Sequence, residues 1–384
     1  MHVLNINSYL DFKTGGGTAE RTFQMSRYLA NSGVQCTVLT IDTGLDEARI
    51  VAMKPADTVS FPLLLRRFYV PQIRWKTLNE LVNAADIIHI MGHWTLLNAL
   101  VYVAARRANK PYVVCPAGAL PIYGRSKLLK RIYNAVVGKS LIANASGWIA
   151  VTASEFPHFA AYGIPAEKVS VVPNGVSESD FVPQSSEQVF RQKYQLSKAP
   201  IILFMGRLNR IKGPDLLLQA FAQIKDTIQD YQLVFAGPDE GMQSVLAELA
   251  AKHGIVDRVR ILGFIGGSDK TSAYRAATLL VVPSRHEAMS IVALEAGICG
   301  TAVMLTDQCG FSEIRTVDPS LEVTANVAGI AAGLQHLLTE PALLERVASA
   351  FKQLVTSKYS WNSIVLDYIE LFSAICSPDT RTRP

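Results

Sequence analysis

Short runs of consecutive apolar residues alternate along this chain with stretches in which apolar positions recur every three or four residues. The first pattern suits strands covered on both faces of a parallel sheet, and the second suits helices laid over such a sheet. Runs near 1–7, 35–41, 86–91, 111–115, 147–151 and 168–172 predict the strands of one doubly wound half. A second half begins at Ile201-Ile202-Leu203-Phe204-Met205 and continues with runs at 233–237, 259–263, 279–282 and 302–305. Near the carboxyl end, Trp361, Ile364, Val365, Tyr368, Ile369 and Phe372 form a single stripe at helical spacing. The fold class is therefore α/β. The expected division is a Rossmann-like domain over 1–180, a polar linker over 181–199, a second Rossmann-like domain over 200–356, and a closing helix and tail over 357–384.

Two junctions in the second half combine a strand end with chemically active side chains. After the run at 201–205 comes Gly206-Arg207-Leu208-Asn209-Arg210-Ile211-Lys212-Gly213, and then a helical pattern through Leu216, Leu217, Ala220 and Phe221. A basic glycine turn before a helix start suits phosphate, because Arg207 offers a planar fork and Lys212 a mobile point charge. After Leu279-Leu280-Val281-Val282 comes Pro283-Ser284-Arg285-His286-Glu287-Ala288-Met289-Ser290, with Ser290 expected to cap a helix from Ile291. Glu287 then lies in the loop at the strand's carboxyl end, and Glu295 lies over a turn into the helix. In open α/β sheets that edge is where ligands bind, and carboxylates there can accept hydrogen bonds from sugar or ribose hydroxyls.

The order of these motifs resembles the retaining glycosyltransferases of GT-B fold in glycosyltransferase family 4. The resemblance rests on Gly15-Gly16-Gly17, on Val172-Pro173-Asn174-Gly175-Val176, on the 206–213 loop, and on Glu287 and Glu295 with Ala296 and Gly300. It covers nearly the whole chain. It implies two domains facing a central cleft and a carboxyl-terminal helix that crosses back to the first domain. It also implies a nucleotide-diphosphate sugar as donor and a glycan or lipid-linked molecule as acceptor, with the first domain binding the acceptor. By the same resemblance Glu295 holds the ribose, Glu287 the donor sugar, the segment Ala288, Met289 and Ser290 the sugar as well, and Phe264 and Ile265 flank the base. Relatives retain anomeric configuration by front-side attack, in which the departing phosphate accepts the acceptor's proton.

Charge adds a possible partner surface. Residues 1–180 hold 18 Lys and Arg against 12 Asp and Glu, and within 61–139 the ratio is 12 to 2. The excess lies in 61–76 and 125–139, where Arg66, Arg67, Lys127, Lys130 and Arg131 mix with leucines and aromatics. That mixture suits peripheral contact with an anionic membrane as well as it suits ordinary amphipathic helices. No nucleic-acid motif accompanies it. Five scattered cysteines form no CxxC pair, as expected of buried thiols in a reducing compartment. The opening Met1-His2-Val3-Leu4 reads as a first strand. The expected location is the cytoplasm, with the inner face of the cytoplasmic membrane as the peripheral site.

On the acceptor side, Gly15, Gly16 and Gly17 allow close backbone approach to phosphate or acceptor without the Gly-x-Gly-x-x-Gly register of dinucleotide enzymes. His93 follows the strand at 86–91 and is a candidate to orient a hydroxyl, whereas His89 alternates into the strand and should be a hydrogen-bonded core residue. The loop Cys115-Pro116-Ala117-Gly118 departs from relatives that carry a polar residue in place of Ala117. No Asp-x-Asp pair occurs, so no metal is expected and Arg207 and Lys212 should stabilise charge on the leaving phosphate. A sugar-nucleotide epimerase and a catalytically silent subunit are the competing readings.

Overall fold

The apolar runs become strands of two parallel sheets in a computed structural model that describes residues 1–11, 15–65, 69–122 and 126–377. In chain order, β1 (His2–Ile6), β2 (Gln35–Ile41) and β3 (Asp57–Phe61) precede a short antiparallel hairpin, β4 (Leu63–Leu65) with β5 (Val70–Pro71). Then come β6 (Ile87–Met91), β7 (Tyr112–Cys115), β8 (Gly147–Ala150) and β9 (Val169–Val171). Hairpin apart, these strands pair in the order β3-β2-β1-β6-β7-β8-β9, all parallel. The strand β3 was not expected. Its sequence Asp-Thr-Val-Ser-Phe alternates polar and apolar residues because it closes one edge of the sheet and is only half covered.

The second sheet contains β10 (Ile201–Met205), β11 (Gln232–Ala236), β12 (Val259–Ile261), β13 (Ala277–Val282), β14 (Ala302–Thr306) and β15 (Glu322–Val323). Their order is β12-β11-β10-β13-β14-β15. The chain steps outward from β10 to β12 and then returns to lay β13 on the other side of β10. The first sheet makes the same return between β1 and β6. Each return leaves two loops diverging from neighbouring strands at the carboxyl edge, which is where open α/β sheets bind ligands.

The chain divides into two units, residues 1–174 with those from Trp361 onward, and residues 175–360. These boundaries differ from those expected from composition. Residues 181–199, expected as a polar linker with room for a short helix, hold the helix Glu187–Lys193, which buries Phe190, and the segment is tied to the second unit. Ser185 Oγ lies 3.0 Å from Ser272 Oγ, and Lys193 Nζ and Tyr194 Oη both reach Asp269, at 2.6 and 2.7 Å. The helix Trp361–Cys376 belongs to the first unit, as the resemblance implied. Its stripe of Trp361, Ile364, Val365, Tyr368 and Phe372 is buried, and each such side chain contributes roughly 1.5–3 kcal/mol.

One guanidinium organises the packing of that helix. Arg21, on the helix Gly16–Asn31, is 1 % exposed and donates to Val172 O, Pro173 O and Asn174 Oδ1 at 2.7–2.8 Å. It also lies 5.5 Å from the centre of the Tyr368 ring, a cation–π contact. The Val-Pro-Asn segment is thus a carbonyl cradle for a buried cation at the end of the first unit, and Asn174 is a structural residue.

His89 sits in β6 against Tyr368 and Phe372, with ring centres 5.9 and 6.0 Å away. The hydrogen-bond partner expected for it is missing: neither ring nitrogen has one, because an aromatic wall encloses the imidazole. Burial, reinforced by the nearby Arg21 charge, pushes its pKa down to about 3 from an ordinary value of 6.5. The unfolded chain therefore binds a proton near pH 6.5 that the folded chain refuses, so stability falls as pH drops from 6.5 toward 3. Between pH 7 and pH 5 this one residue should remove about 2 kcal/mol. Denaturant unfolding of the wild type and of His89→Leu at both pH values checks it. The variant should lose less stability over that interval, and an identical loss would refute the assignment.

Candidate active site

In the second unit, the loops after β10 and β13 are locked together at the point where the strand order reverses. Gly213, at φ +70°, begins the helix Pro214–Gln223, and a Cβ on it would stand 2.0 Å from the Pro283 carbonyl oxygen. Only glycine permits this approach. Arg285, unassigned from the sequence, closes the same contact from the other loop. Its guanidinium forms a two-point pair with Asp215 at 2.8 and 2.7 Å and donates to Arg210 O, while its backbone N–H donates to Ile211 O. The third support is the 307–311 loop. Glu287 N donates to Gln308 O, Thr306 Oγ1 donates to Ser284 O, and Gly310 lies against the Ala288 carbonyl, which a Cβ would meet at 2.0 Å.

This frame brings the predicted charges together. Lys212 Nζ lies 2.8 Å from Glu287 Oε1, and Ser284 Oγ donates to Glu287 Oε2 at 3.0 Å. Arg207 pairs with Glu240 at 3.0 Å, and Asn209 Nδ2 binds the other oxygen of that carboxylate at 2.7 Å. Both members of the Arg207–Glu240 pair are 39 % exposed, so the pair itself contributes at most about 1 kcal/mol. Glu240, on the loop after β11, was not picked out in the sequence because nothing in its local pattern distinguishes it. Both predicted phosphate cations are paired with carboxylates.

Glu295 is held differently. It is 4 % exposed, with Oε1 at 2.6 Å from Lys270 Nζ and Oε2 at 2.6 Å from the Tyr274 hydroxyl. Both partners come from the helix Gly267–Ala276, four residues apart and therefore on one face. Burial, with the Glu295 charge beside it, raises the Tyr274 pKa well above its ordinary value, so the phenol remains a donor. Ser290 occupies the cap position of the helix Ile291–Ile298, but its side chain makes no capping bond, contrary to expectation. Its backbone is extended, as at other caps, yet Oγ is buried with no hydrogen-bond partner. Ala288 and Met289 lie in the same loop, and Met289 is buried. Gly206 ends β10, and Gly237 N donates to Gly263 O, linking the loops after β11 and β12. Beyond Gly263, Phe264 is exposed while the Ile265 side chain is buried beneath the loop, which leaves Phe264 as the accessible ring.

In the first unit, Gly15 precedes the helix Gly16–Asn31, and Gly16 and Gly17 form its first turn rather than a free loop. Residues 12–14, just before them, lie outside the described residues. His93 follows β6 but is 1 % exposed, in a box made by Trp94, Tyr133 and Tyr162 with ring centres 4.4–5.6 Å away. Asn134, in a one-turn π-helix, meets His93 Nε2 at 3.0 Å and donates to the Tyr162 hydroxyl at 2.7 Å. Burial pushes the His93 pKa down to about 4, so the ring is neutral near pH 7. The expected open imidazole is an enclosed one. Ala117 stands at φ +48°, unusual for a residue with a Cβ, and the neighbouring Gly118 N–H is held at 2.6 Å by the buried Glu155 carboxylate.

The basic segments are described in part. Arg66, Arg67 and Arg125 lie outside the described residues. In the helix Lys127–Tyr133 and the turn that follows, Leu128, Leu129, Ile132 and Val136 are all at least half exposed, beside exposed Lys127, Arg131 and Lys139. Among the described residues no single helix is long and apolar enough to cross a membrane.

Comparison with known proteins matches this architecture. The family described as "Glycosyl transferases group 1" matches residues 186–354, and the "Glycosyl transferase 4-like domain" matches residues 16–175. A D-inositol 3-phosphate glycosyltransferase of Frankia alni is 30 % identical over 87 % of this chain and 88 % of its own length. Among solved structures, sucrose-phosphate synthase from Thermosynechococcus elongatus aligns at a TM-score of 0.76 with 23 % identity, covering 97 % of this chain and 100 % of that one. HepE from Anabaena, solved in complex with UDP-glucose, aligns at 0.80 with 18 % identity over 97 % and 100 % of the two chains. Both solved structures share the two-domain GT-B fold found here.

The locked loops make a direct steric prediction. Gly254, at φ +66°, has open space where a Cβ would stand, whereas Gly213, at φ +70°, has the Pro283 carbonyl there. Gly254→Ala should cost only the left-handed backbone penalty of about 1–2 kcal/mol. Gly213→Ala should cost at least about 2 kcal/mol more, because the two loops must separate. Equal melting temperatures for the two variants would show that the loops do not bear on one another.

Proposed function

Because this chain belongs to the group 1 glycosyl transferases, we propose that it moves a sugar from a nucleotide-diphosphate sugar to a glycan or lipid-linked acceptor, with retained anomeric configuration and without a metal ion. The observation that carries the proposal is the meeting of Lys212 and Glu287 at the strand reversal, with Arg207 and Glu295 on the same sheet edge. Arg207 and Lys212 exchange their carboxylate partners for the donor diphosphate and stabilise charge that develops on the leaving phosphate. The exchange is inexpensive at Arg207, whose pair is solvent-exposed. Glu287, released from Lys212, accepts hydroxyls of the sugar, and the unpartnered Ser290 hydroxyl lies in the same loop. Glu295 accepts the ribose hydroxyls, and Phe264 flanks the base. The two cations Arg207 and Lys212 and the helix start after Gly213 take the place of a divalent ion. The departing phosphate takes the acceptor's proton as the new bond forms on the same face, so neither glutamate acts as a covalent nucleophile.

The acceptor reading rests on the first unit's basic and apolar surface. Cytoplasmic residence, with contact at the inner face of the cytoplasmic membrane, fits a lipid-linked acceptor in cell-surface polysaccharide synthesis. A second acceptor class, a phosphorylated polyol, is favoured by the relatives that act on D-inositol 3-phosphate.

A thermal-shift screen with UDP, GDP, ADP and their sugar conjugates should reveal one nucleotide that stabilises the protein by mass action. Arg207→Ala and Glu295→Ala should each abolish that shift, and no shift from any nucleotide would sink the donor reading. Turnover should survive a chelator, and NMR of the product should show the donor's anomeric configuration; inversion or strict metal dependence would refute those parts. Co-sedimentation with vesicles containing anionic lipid should weaken severalfold when Leu128, Leu129 and Ile132 become serine. Binding indifferent to both lipid charge and those residues would point to the soluble phosphorylated acceptor.

A further inference from the structure

We propose that Lys270 and Tyr274 are positioning residues for Glu295, and that through it they give the donor site its preference for ribose hydroxyls. The proposal rests on the donor-site reading above. A carboxylate offers about four lone-pair positions, and a buried one is useful for recognition only if it stays ionised and cannot rotate. Lys270 Nζ and the Tyr274 hydroxyl each take one oxygen of Glu295 at 2.6 Å, from a single face of the helix Gly267–Ala276. That leaves about one lone pair on each oxygen, two acceptors on one rigid plane. Two adjacent acceptors match a pair of vicinal hydroxyls and mismatch a sugar that lacks them.

The helix itself is pinned. The Thr301 hydroxyl donates to Tyr274 O at 2.6 Å, and Tyr274 is fully buried. Lys270 is the more accessible partner, its side chain 28 % exposed. Deleting the lysine would leave Glu295 Oε1 without the donor that fixes it, and a carboxylate free to turn no longer presents two acceptors on one plane.

Titration calorimetry tests this with UDP, GDP and ADP, each beside its 2′,3′-dideoxy form, on the wild type and on Lys270→Met, Lys270→Arg and Tyr274→Phe. The wild type should prefer the ribose form of its nucleotide by about tenfold to a hundredfold, the range for hydrogen bonds to a charged group. In Lys270→Met that preference should fall toward one while affinity for the dideoxy form stays within about twofold, and Lys270→Arg should recover much of it. Tyr274→Phe, which keeps the packing, should reduce the preference in the same sense. An unchanged preference in Lys270→Met overturns the assignment. So does an equal loss for both nucleotide forms, which is the mark of a merely structural role. If no nucleotide binds the wild type, the donor-site reading fails and this proposal fails with it.

Discussion

The parallel pairing of β10 with β13 is the constraint on which the second unit's chemistry depends. The strands are separated in sequence by two strand–helix repeats, yet Ile202 and Leu203 lie beside Leu279 and Leu280. Neither strand carries a charged residue, and both are buried, so the pairing follows from the hydrophobic pattern alone. Its consequence is that two loops from distant sequence leave adjacent strands in the same direction. Lys212 can then meet Glu287, and Arg285 can reach Asp215. Without the reversal of strand order the same residues would face different helices.

The paired charges at this edge fall into two kinds. Arg207 with Glu240 is half exposed, and Lys212 with Glu287 is partly covered; such pairs are weak enough to be exchanged for a stronger anion. Arg285 with Asp215 is a two-point pair, and the carboxylate paired with Lys270 is held at its other oxygen by Tyr274; these act as fixtures. Breaking the Lys270–Glu295 pair leaves a buried carboxylate without its counter-charge, a cost of several kcal/mol. The physical division between exchangeable and fixed pairs thus coincides with the division between residues proposed to grip the diphosphate and residues that hold other residues still.

Much of this was legible in the sequence, for a reason that also explains the gaps. Apolar runs, the glycine between Lys212 and the next helix, and the two glutamates are local signals, so the strands and the principal charged residues could be read directly. Lys270, Tyr274, Glu240 and Asp215 could not be, because each becomes significant only through a partner 21 to 70 residues away. Nothing in a lysine on an otherwise polar helix announces a carboxylate folded against it. Ser290 failed the opposite way: the local cap pattern and an extended cap backbone are both present, but the hydroxyl makes no bond to the first-turn amides. In the first unit, β3 escaped notice because an edge strand need not be apolar on both faces.

His93 shows why proximity to a strand end is a weaker guide than enclosure. It stands after β6, at the reversal point of the first sheet, the counterpart of the position that holds the charged loops in the second. Yet its ring is walled by three aromatic side chains and fixed by Asn134, and its low pKa removes it as a cation at neutral pH. An imidazole so placed is suited to shaping the loop above it, since Trp94 and Tyr162 also bond to the carbonyls of Ala119 and Leu120. That loop is the one in which Ala117 adopts a left-handed backbone and Gly118 is anchored by Glu155. With a methyl group at Ala117, that position offers only backbone groups for hydrogen bonding. The rigidity supplied from beneath by His93, Asn134, Tyr162 and Glu155 is what would let unadorned backbone groups hold a fixed direction.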